Sequence, residues 1–210
     1  DGIGKSRILA EFFCLLGTIE EKNWFFSSKS TFVDKNSSYS RIQNLLTNRL
    51  NIDAGASSEV VFNRLNSIAL NLKDIKELSA KKILELNAQK HLFKDRDEQI
   101  EDQTILEDIY FLGKLLGYDF DHIKPDYNLN HNITPMRLET AFRRFIGAFL
   151  RIYPCVFCLE DIHWADSASL KIILATISYH SRNKLFVLST ARPEIETHFT
   201  EWCKSRRFTR

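Results

Sequence analysis

The feature that most constrains the fold is a short apolar run, CVFCL at 155–159, which ends at two acidic residues, Glu160 and Asp161. A run of this length without a polar residue predicts a strand that is buried on both faces of a sheet. A helical pattern over 167–179 follows, and a second apolar run lies at 185–188. Strands that alternate with helices indicate an α/β fold, in which helices cover both faces of a parallel sheet.

Size and composition agree with a globular α/β protein. The 210 residues suffice for one α/β domain, with or without a helical insertion. Sixteen Phe residues argue against disorder, because disordered segments are usually poor in aromatic residues. A net charge of +2 gives no strong reason to expect a nucleic-acid partner. No apolar run approaches the roughly 20 residues that span a bilayer, so we expect no membrane partner.

Two cysteines in the apolar run, Cys155 and Cys158, have the CxxC spacing of many zinc and redox sites. Residues three apart on a strand point to opposite faces, so the pair is not expected to converge on one metal ion. We therefore expect buried thiols that act as small apolar groups. Such thiols are typical of a reducing compartment, and we expect a cytoplasmic protein.

The middle of the chain is predicted to be helical. Apolar residues recur at helical spacing over 57–72 and again over 105–116, and Thr134 followed by Pro135 predicts the start of another helix. The segment 81–102 is rich in charges of both signs, which favours a solvated helix or connection. We expect one domain over residues 1–210, with a helical insertion at approximately 52–133.

The start of the chain resembles the end of a phosphate-binding loop, whose pattern is G-x-x-x-x-G-K-[ST]. Gly4, Lys5 and Ser6 match its last three positions, an amphipathic helix follows at 6–16, and the first glycine of the pattern would lie before Asp1. Such a loop surrounds phosphates with backbone N–H groups at a helix N-terminus. Lys5 is then expected to reach the β- and γ-phosphates, and the Ser6 hydroxyl to coordinate Mg²⁺. The residues expected to contact ATP are Gly2, Ile3, Gly4, Lys5, Ser6 and Arg7.

The acidic pair after the first apolar run has the second pattern expected of a nucleotide site. Ligands of open α/β sheets bind at the carboxyl ends of the strands, where Glu160 and Asp161 would lie. Glu160 is expected to support Mg²⁺ together with Ser6, and Asp161 to polarise the attacking water. Two solvated acids at the end of an ordinary strand are the structural alternative.

Longer strings resemble a known family. The string EDIHWADSASL at 160–170 resembles the Walker B region of origin-recognition-like AAA ATPases, P-loop modules of the AAA/STAND type. These modules occur attached to adenylate or guanylate cyclases and to serine/threonine or histidine kinases. The strings GIGKSR at 2–7 and LSTARPE at 188–194, and the start of a helix at 38–40, are similar to the same family.

This resemblance implies an ASCE-type P-loop fold, a three-layer α/β/α arrangement with five core strands, of which the first would precede this chain. It also implies binding of ATP and Mg²⁺, ATP hydrolysis, attached effector domains, and a downstream winged-helix or helical-repeat region. Arg192 would be a sensor of the γ-phosphate. Glu160 departs from the aspartate that many P-loop ATPases have at its position.

The predicted function is an ATP-binding regulatory module that switches conformation and hydrolyses ATP to ADP and phosphate. One alternative is a scaffold that binds nucleotide without hydrolysis, or binds none, and serves protein–protein contacts. Another is a DNA-binding initiator ATPase, for which the basic cluster at 204–210 is a weak signal. His163 follows the acids and is expected either to contact the catalytic water or to pack locally.

Overall fold

The computed structural model describes residues 4–18, 22–87, 102–120 and 134–204. Two 3₁₀ turns, Phe32–Asn36 and Ile162–Trp164, follow the first two strands. The strands are β1 (Trp24–Lys29), β2 (Cys155–Glu160) and β3 (Leu185–Ser189). The helices are α1 (Lys5–Thr18), α2 (Ser40–Leu50), α3 (Ser58–Asn87), α4 (Asp102–Leu116), α5 (Pro135–Leu150), α6 (Ser167–Tyr179), α7 (Ile195–His198) and α8 (Thr200–Lys204).

The described strands form one parallel sheet in the order β1-β2-β3, which confirms the predicted α/β class. The central strand, β2, pairs along its length with both neighbours, and Trp24, Cys155 and Leu185 lie in register across the sheet. All three strands therefore end at the same edge. The resemblance implied five core strands, and the described residues contain three of them.

One face of the sheet is covered by α1. Phe25, Val156 and Phe186 lie in register on this face. The ring of Phe12 stacks on Phe186 at 5.6 Å between centroids, and Phe13 meets Phe25 edge-on at 5.2 Å. Aromatic pairs of this geometry stabilise beyond the area that they bury. The apolar stripe of α1 is therefore used against the sheet.

The opposite face carries the main core. Phe26 of β1 contacts both Phe149 of α5 and Phe157 of β2, and all three side chains are buried. Helix α5 begins as predicted, because the Thr134 hydroxyl accepts a hydrogen bond from the Arg137 N–H. Its apolar residues Leu138, Phe142, Phe145, Ile146 and Phe149 are all buried. Helices on both faces give the three layers expected of a P-loop fold.

The burial predicted for the two cysteines is confirmed, because Cys155 and Cys158 are free, buried thiols. Helices α3 and α4 occupy the predicted insertion, whose boundaries stay a prediction; residues 88–101 and 121–133 lie outside the described ranges. None of the helices in the described ranges is long and apolar enough to cross a bilayer.

Candidate functional site

The N-terminus of α1 has the backbone conformation of a glycine turn that leads into a helix. Gly4 has φ +82°, a left-handed value that a side chain rarely adopts, and its carbonyl accepts the N–H of Ile8 at 3.0 Å. Lys5 is half-buried, whereas Ser6 and Arg7 are exposed and open to a ligand. Gly2 and Ile3, also expected to contact ATP, lie outside the described residues.

The acidic pair lies at the carboxyl edge of the sheet, as the sequence predicted. Glu160 is the last residue of β2, and Asp161 follows it; both are half-buried. The Glu160 carbonyl accepts a 3.0 Å hydrogen bond from the N–H of Ser30, the residue after β1. Asp161 has φ 53° and ψ 44°, so the chain turns sharply at this residue. Aspartate tolerates this left-handed conformation better than most residues.

Thr190, which follows β3, holds the turn at Asp161. Its hydroxyl accepts the Asp161 N–H at 3.0 Å. Its backbone N–H donates to the carbonyl of Leu159, and its own carbonyl accepts the N–H of Ile162. Three hydrogen bonds thus attach Thr190 to Leu159, Asp161 and Ile162. The resemblance drew attention to Arg192 in this segment, and the contribution of Thr190 was missed because it depends on strand register.

His163 is the point at which the separate segments meet. The side chain is buried, and its Nδ1 lies 3.3 Å from the backbone nitrogen of Arg192, whose N–H donates to it. Burial lowers the pKa of His163; the Asp161 carboxylate opposes this change, and the charges of Arg192 and Lys5 add to it.

The tautomer of His163 follows from this contact. Because Nδ1 accepts a hydrogen bond, the proton of the neutral ring resides on Nε2. Nε2 is buried and makes no hydrogen bond within the described part of the chain. Of the two readings for His163, local packing is visible in its contact with the Trp164 ring at 4.9 Å, and a role towards water stays a prediction.

Arg192 is also placed at this edge. It follows β3 by three residues, and its guanidinium lies 6.0 Å from the centre of the Trp164 ring. Trp164 itself is half-buried and meets the exposed ring of Phe32 edge-on at 5.2 Å. The structure thus places Arg192 and the acidic pair, which the sequence had selected, at the same edge of the sheet, and Lys5 is the first residue of α1.

A further cation near the acidic edge, Arg41 of α2, was not predicted from the sequence. Its side chain is 0% exposed, and its Nη1 donates to the Ser30 hydroxyl at 2.7 Å. Burial lowers the pKa of Arg41 to about 10, against the opposing charges of the Asp34, Glu160 and Asp161 carboxylates. An arginine in a mostly polar helix start gives no sequence signal that it will be buried.

The acidic edge fits Mg²⁺ in the manner of a nucleotide site. Within the described ranges, no three acidic, His or Cys residues form a group that could hold a metal ion by themselves. Mg²⁺ usually takes one or two carboxylates and completes its octahedral shell with waters and phosphate oxygens. The Glu160 carboxylate at the end of β2 is a donor of this kind.

The comparisons with known proteins agree with this geometry. The family model described as "AAA ATPase domain" matches residues 1–188, a range that includes the glycine turn, the acidic pair and β3 up to Leu188. The chain belongs to this AAA ATPase domain family. Neither the curated proteins nor the solved structures gave a match.

Proposed function

We propose that this chain is an ATP-binding and ATP-hydrolysing regulatory module. ATP binds at Gly2, Ile3, Gly4, Lys5, Ser6 and Arg7. The observation that carries this proposal is the pair of hydrogen bonds at the acidic edge: the Thr190 hydroxyl accepts the Asp161 N–H, and His163 accepts the Arg192 N–H. Phosphoryl transfer requires cations that neutralise phosphate charge and an acid that positions the attacking water. Lys5, at a helix N-terminus, and Arg192 are the cations, and Asp161, at a strand end, is the acid.

Each residue has a role that its position supports. The Lys5 ammonium and the N-terminus of α1 bind the β- and γ-phosphates. Ser6 and Glu160 hold Mg²⁺, which neutralises phosphate charge when bound. The Asp161 carboxylate orients the attacking water and accepts its proton, and Thr190 keeps that carboxylate in place through the backbone. Arg192 contacts the γ-phosphate and reports whether it is present.

The output of this site is a conformational change in attached domains. The family to which the motifs are similar is joined to cyclase or kinase effectors and to a winged-helix or helical-repeat region, and we propose the same arrangement here. A signal of this kind requires only that the segment after β3 responds to the γ-phosphate. The contact between the Arg192 N–H and His163 joins that segment to the Walker B turn.

The test is ATP binding and turnover in a protein with a strand and a complete phosphate loop added before Asp1, beside the Lys5→Ala and Asp161→Asn variants. We expect Mg²⁺-dependent turnover in the parent, loss of binding in Lys5→Ala, and retained binding without turnover in Asp161→Asn. Binding without turnover in the parent would support the rival, a nucleotide-bound scaffold. A folded parent that binds no ATP would refute the proposal.

A further inference from the structure

A fully buried guanidinium lies next to the acidic edge of the sheet. Arg41 is 0% exposed, and only one of its three side-chain nitrogens has a partner, the Nη1 that donates to Ser30. Nε and Nη2 make no hydrogen bond to any described residue. Arginine is almost never fully buried unless it is paired, because an isolated buried charge is costly. The position of Arg41 therefore calls for a compensating negative charge.

That charge is supplied by Asp34, in the 3₁₀ turn after β1, together with the acidic edge. Ser30 accepts from Arg41 through its hydroxyl and donates through its N–H to the Glu160 carbonyl, so one residue joins the guanidinium to the end of β2. Asp34, Glu160 and Asp161 are the carboxylates whose charges act on Arg41. Although burial lowers the pKa of Arg41, its value of about 10 keeps the side chain protonated near neutral pH.

We propose that Arg41 is a positioning residue of the nucleotide site. It is an internal cation that balances the negative charge of Glu160 and Asp161, and it therefore competes with Mg²⁺ for that charge. Arg41 lies outside the glycine, acidic and sensor motifs, and its role rests on the proposed ATP site. Being buried behind Ser30, it acts through the carboxylates and does not contact nucleotide.

The charge of Arg41 should affect the binding of ATP with and without Mg²⁺ in opposite directions. The positive charge of Arg41 repels a divalent cation at Glu160 and attracts the anionic phosphates of metal-free ATP. Without it, Mg²⁺–ATP binds relatively better and ATP alone binds worse. The ratio of the dissociation constant in EDTA to that in Mg²⁺ should therefore rise, by about three- to tenfold for a charge acting through partly buried protein.

The experiment measures both dissociation constants by calorimetry, in the full chain with a completed phosphate loop. Arg41→Met and Arg41→Gln are neutral, and Gln can still donate to Ser30. Arg41→Lys keeps the charge. The matched control is Arg49→Met, in the same helix but over the Trp24 ring at the opposite end of β1. We expect the ratio of the dissociation constants in EDTA and in Mg²⁺ to rise in Arg41→Met and Arg41→Gln. In Arg41→Lys and Arg49→Met this ratio should stay within about twofold of the parent.

The outcomes separate the two proposals. If the parent binds ATP and the neutral Arg41 variants give the same ratio as Arg49→Met, the role of Arg41 is refuted and the ATP site stands. If the ratio follows loss of thermal stability instead of charge, with Arg41→Lys shifted as well, Arg41 is structural only. A parent that binds no ATP overturns both. Should Arg41→Met fail to fold, Arg41→Gln and Arg41→Lys still make the comparison.

Discussion

The side-chain carboxylate of Asp166 accepts a 2.9 Å hydrogen bond from the backbone N–H of Tyr39, a residue 127 positions earlier in the chain. The same carboxylate caps its own helix, α6, by accepting the N–H of Ser169 at 2.8 Å. Tyr39 has φ 65°, so the chain enters α2 through a left-handed residue. One buried acid, within the same string as Glu160 and Asp161, thus joins the N-termini of two helices.

Asp166→Ala is expected to destabilise the fold more than the loss of a simple helix cap. The change removes a cap and also leaves N–H groups at the buried start of α2 without their acceptor. We expect the free energy of unfolding to fall by about 2–4 kcal/mol, measured by urea denaturation. Thr134→Ala, which removes only the cap of α5, is the control and should cost about 1 kcal/mol. Equal costs would show that the link to α2 contributes nothing.

Thr190→Val is expected to reduce turnover with little effect on nucleotide binding. Valine has nearly the same shape but cannot accept the Asp161 N–H, so the proposed catalytic acid loses its anchor. A loss of about 10-fold or more in kcat is expected for a displaced catalytic group, with the dissociation constant for ATP unchanged. The control is Thr176→Val in α6, whose hydroxyl bonds to its own helix. An equal loss of kcat in Thr190→Val and Thr176→Val would contradict the role of Thr190 in holding Asp161.

Asp161→Asn and Asp161→Ala should differ in stability but not in activity. Both remove the carboxylate, so neither is expected to hydrolyse ATP. Asparagine adopts the left-handed conformation at this position, where φ is 53°, whereas alanine is strained there by about 1 kcal/mol. Thermal unfolding of the two variants measures this difference. Full turnover in Asp161→Asn would exclude Asp161 as the group that activates water.

The stability of the fold should depend on the pH through Asp108, in the helix α4. Burial raises the pKa of Asp108 to about 7, although Arg144 lies 3.3 Å away and opposes this change. A carboxyl whose pKa is raised on folding stabilises the fold when protonated, so its contribution is complete below about pH 4 and is lost as the pH rises through 7. The loss is at most about 4 kcal/mol.

The test compares urea denaturation of the parent and Asp108→Asn between pH 4 and pH 8. Because asparagine cannot ionise, the variant should gain stability relative to the parent as the pH rises. Glu139→Gln, at a carboxylate that pairs with Arg143 on the surface of α5, is the control and should show almost no such trend. If the difference in free energy of unfolding between Asp108→Asn and the parent is constant across this range, Asp108 is excluded as the source of the pH dependence.

Local features of the chain were predictable from local patterns. The predicted strand at 155–159 and helix at 167–179 each depend on residues within a few positions of one another, and both were found. The burial of Cys155 and Cys158 followed from the absence of polar residues around them. The acidic pair reached the sheet edge because parallel strands must all end there.

The contacts that tie the site together were not predictable in this way. Thr190 reaches Asp161, and Arg41 reaches Ser30, only because particular strands and helices are neighbours in space. Tyr39, the second partner of Asp166, is 127 positions away in the chain, and no sequence periodicity or helix propensity predicts a contact over that separation.

The amino-acid sequence alone therefore determined the elements, the fold class and the chemistry available at the strand ends, since hydrophobic periodicity and capping act over a few residues. The tertiary structure decided which side chains hold the charged residues at the strand ends in place. Burial of a polar group or a charge is tolerated only where packing brings a partner within hydrogen-bond distance, and that partner is set by how the helices pack on the sheet.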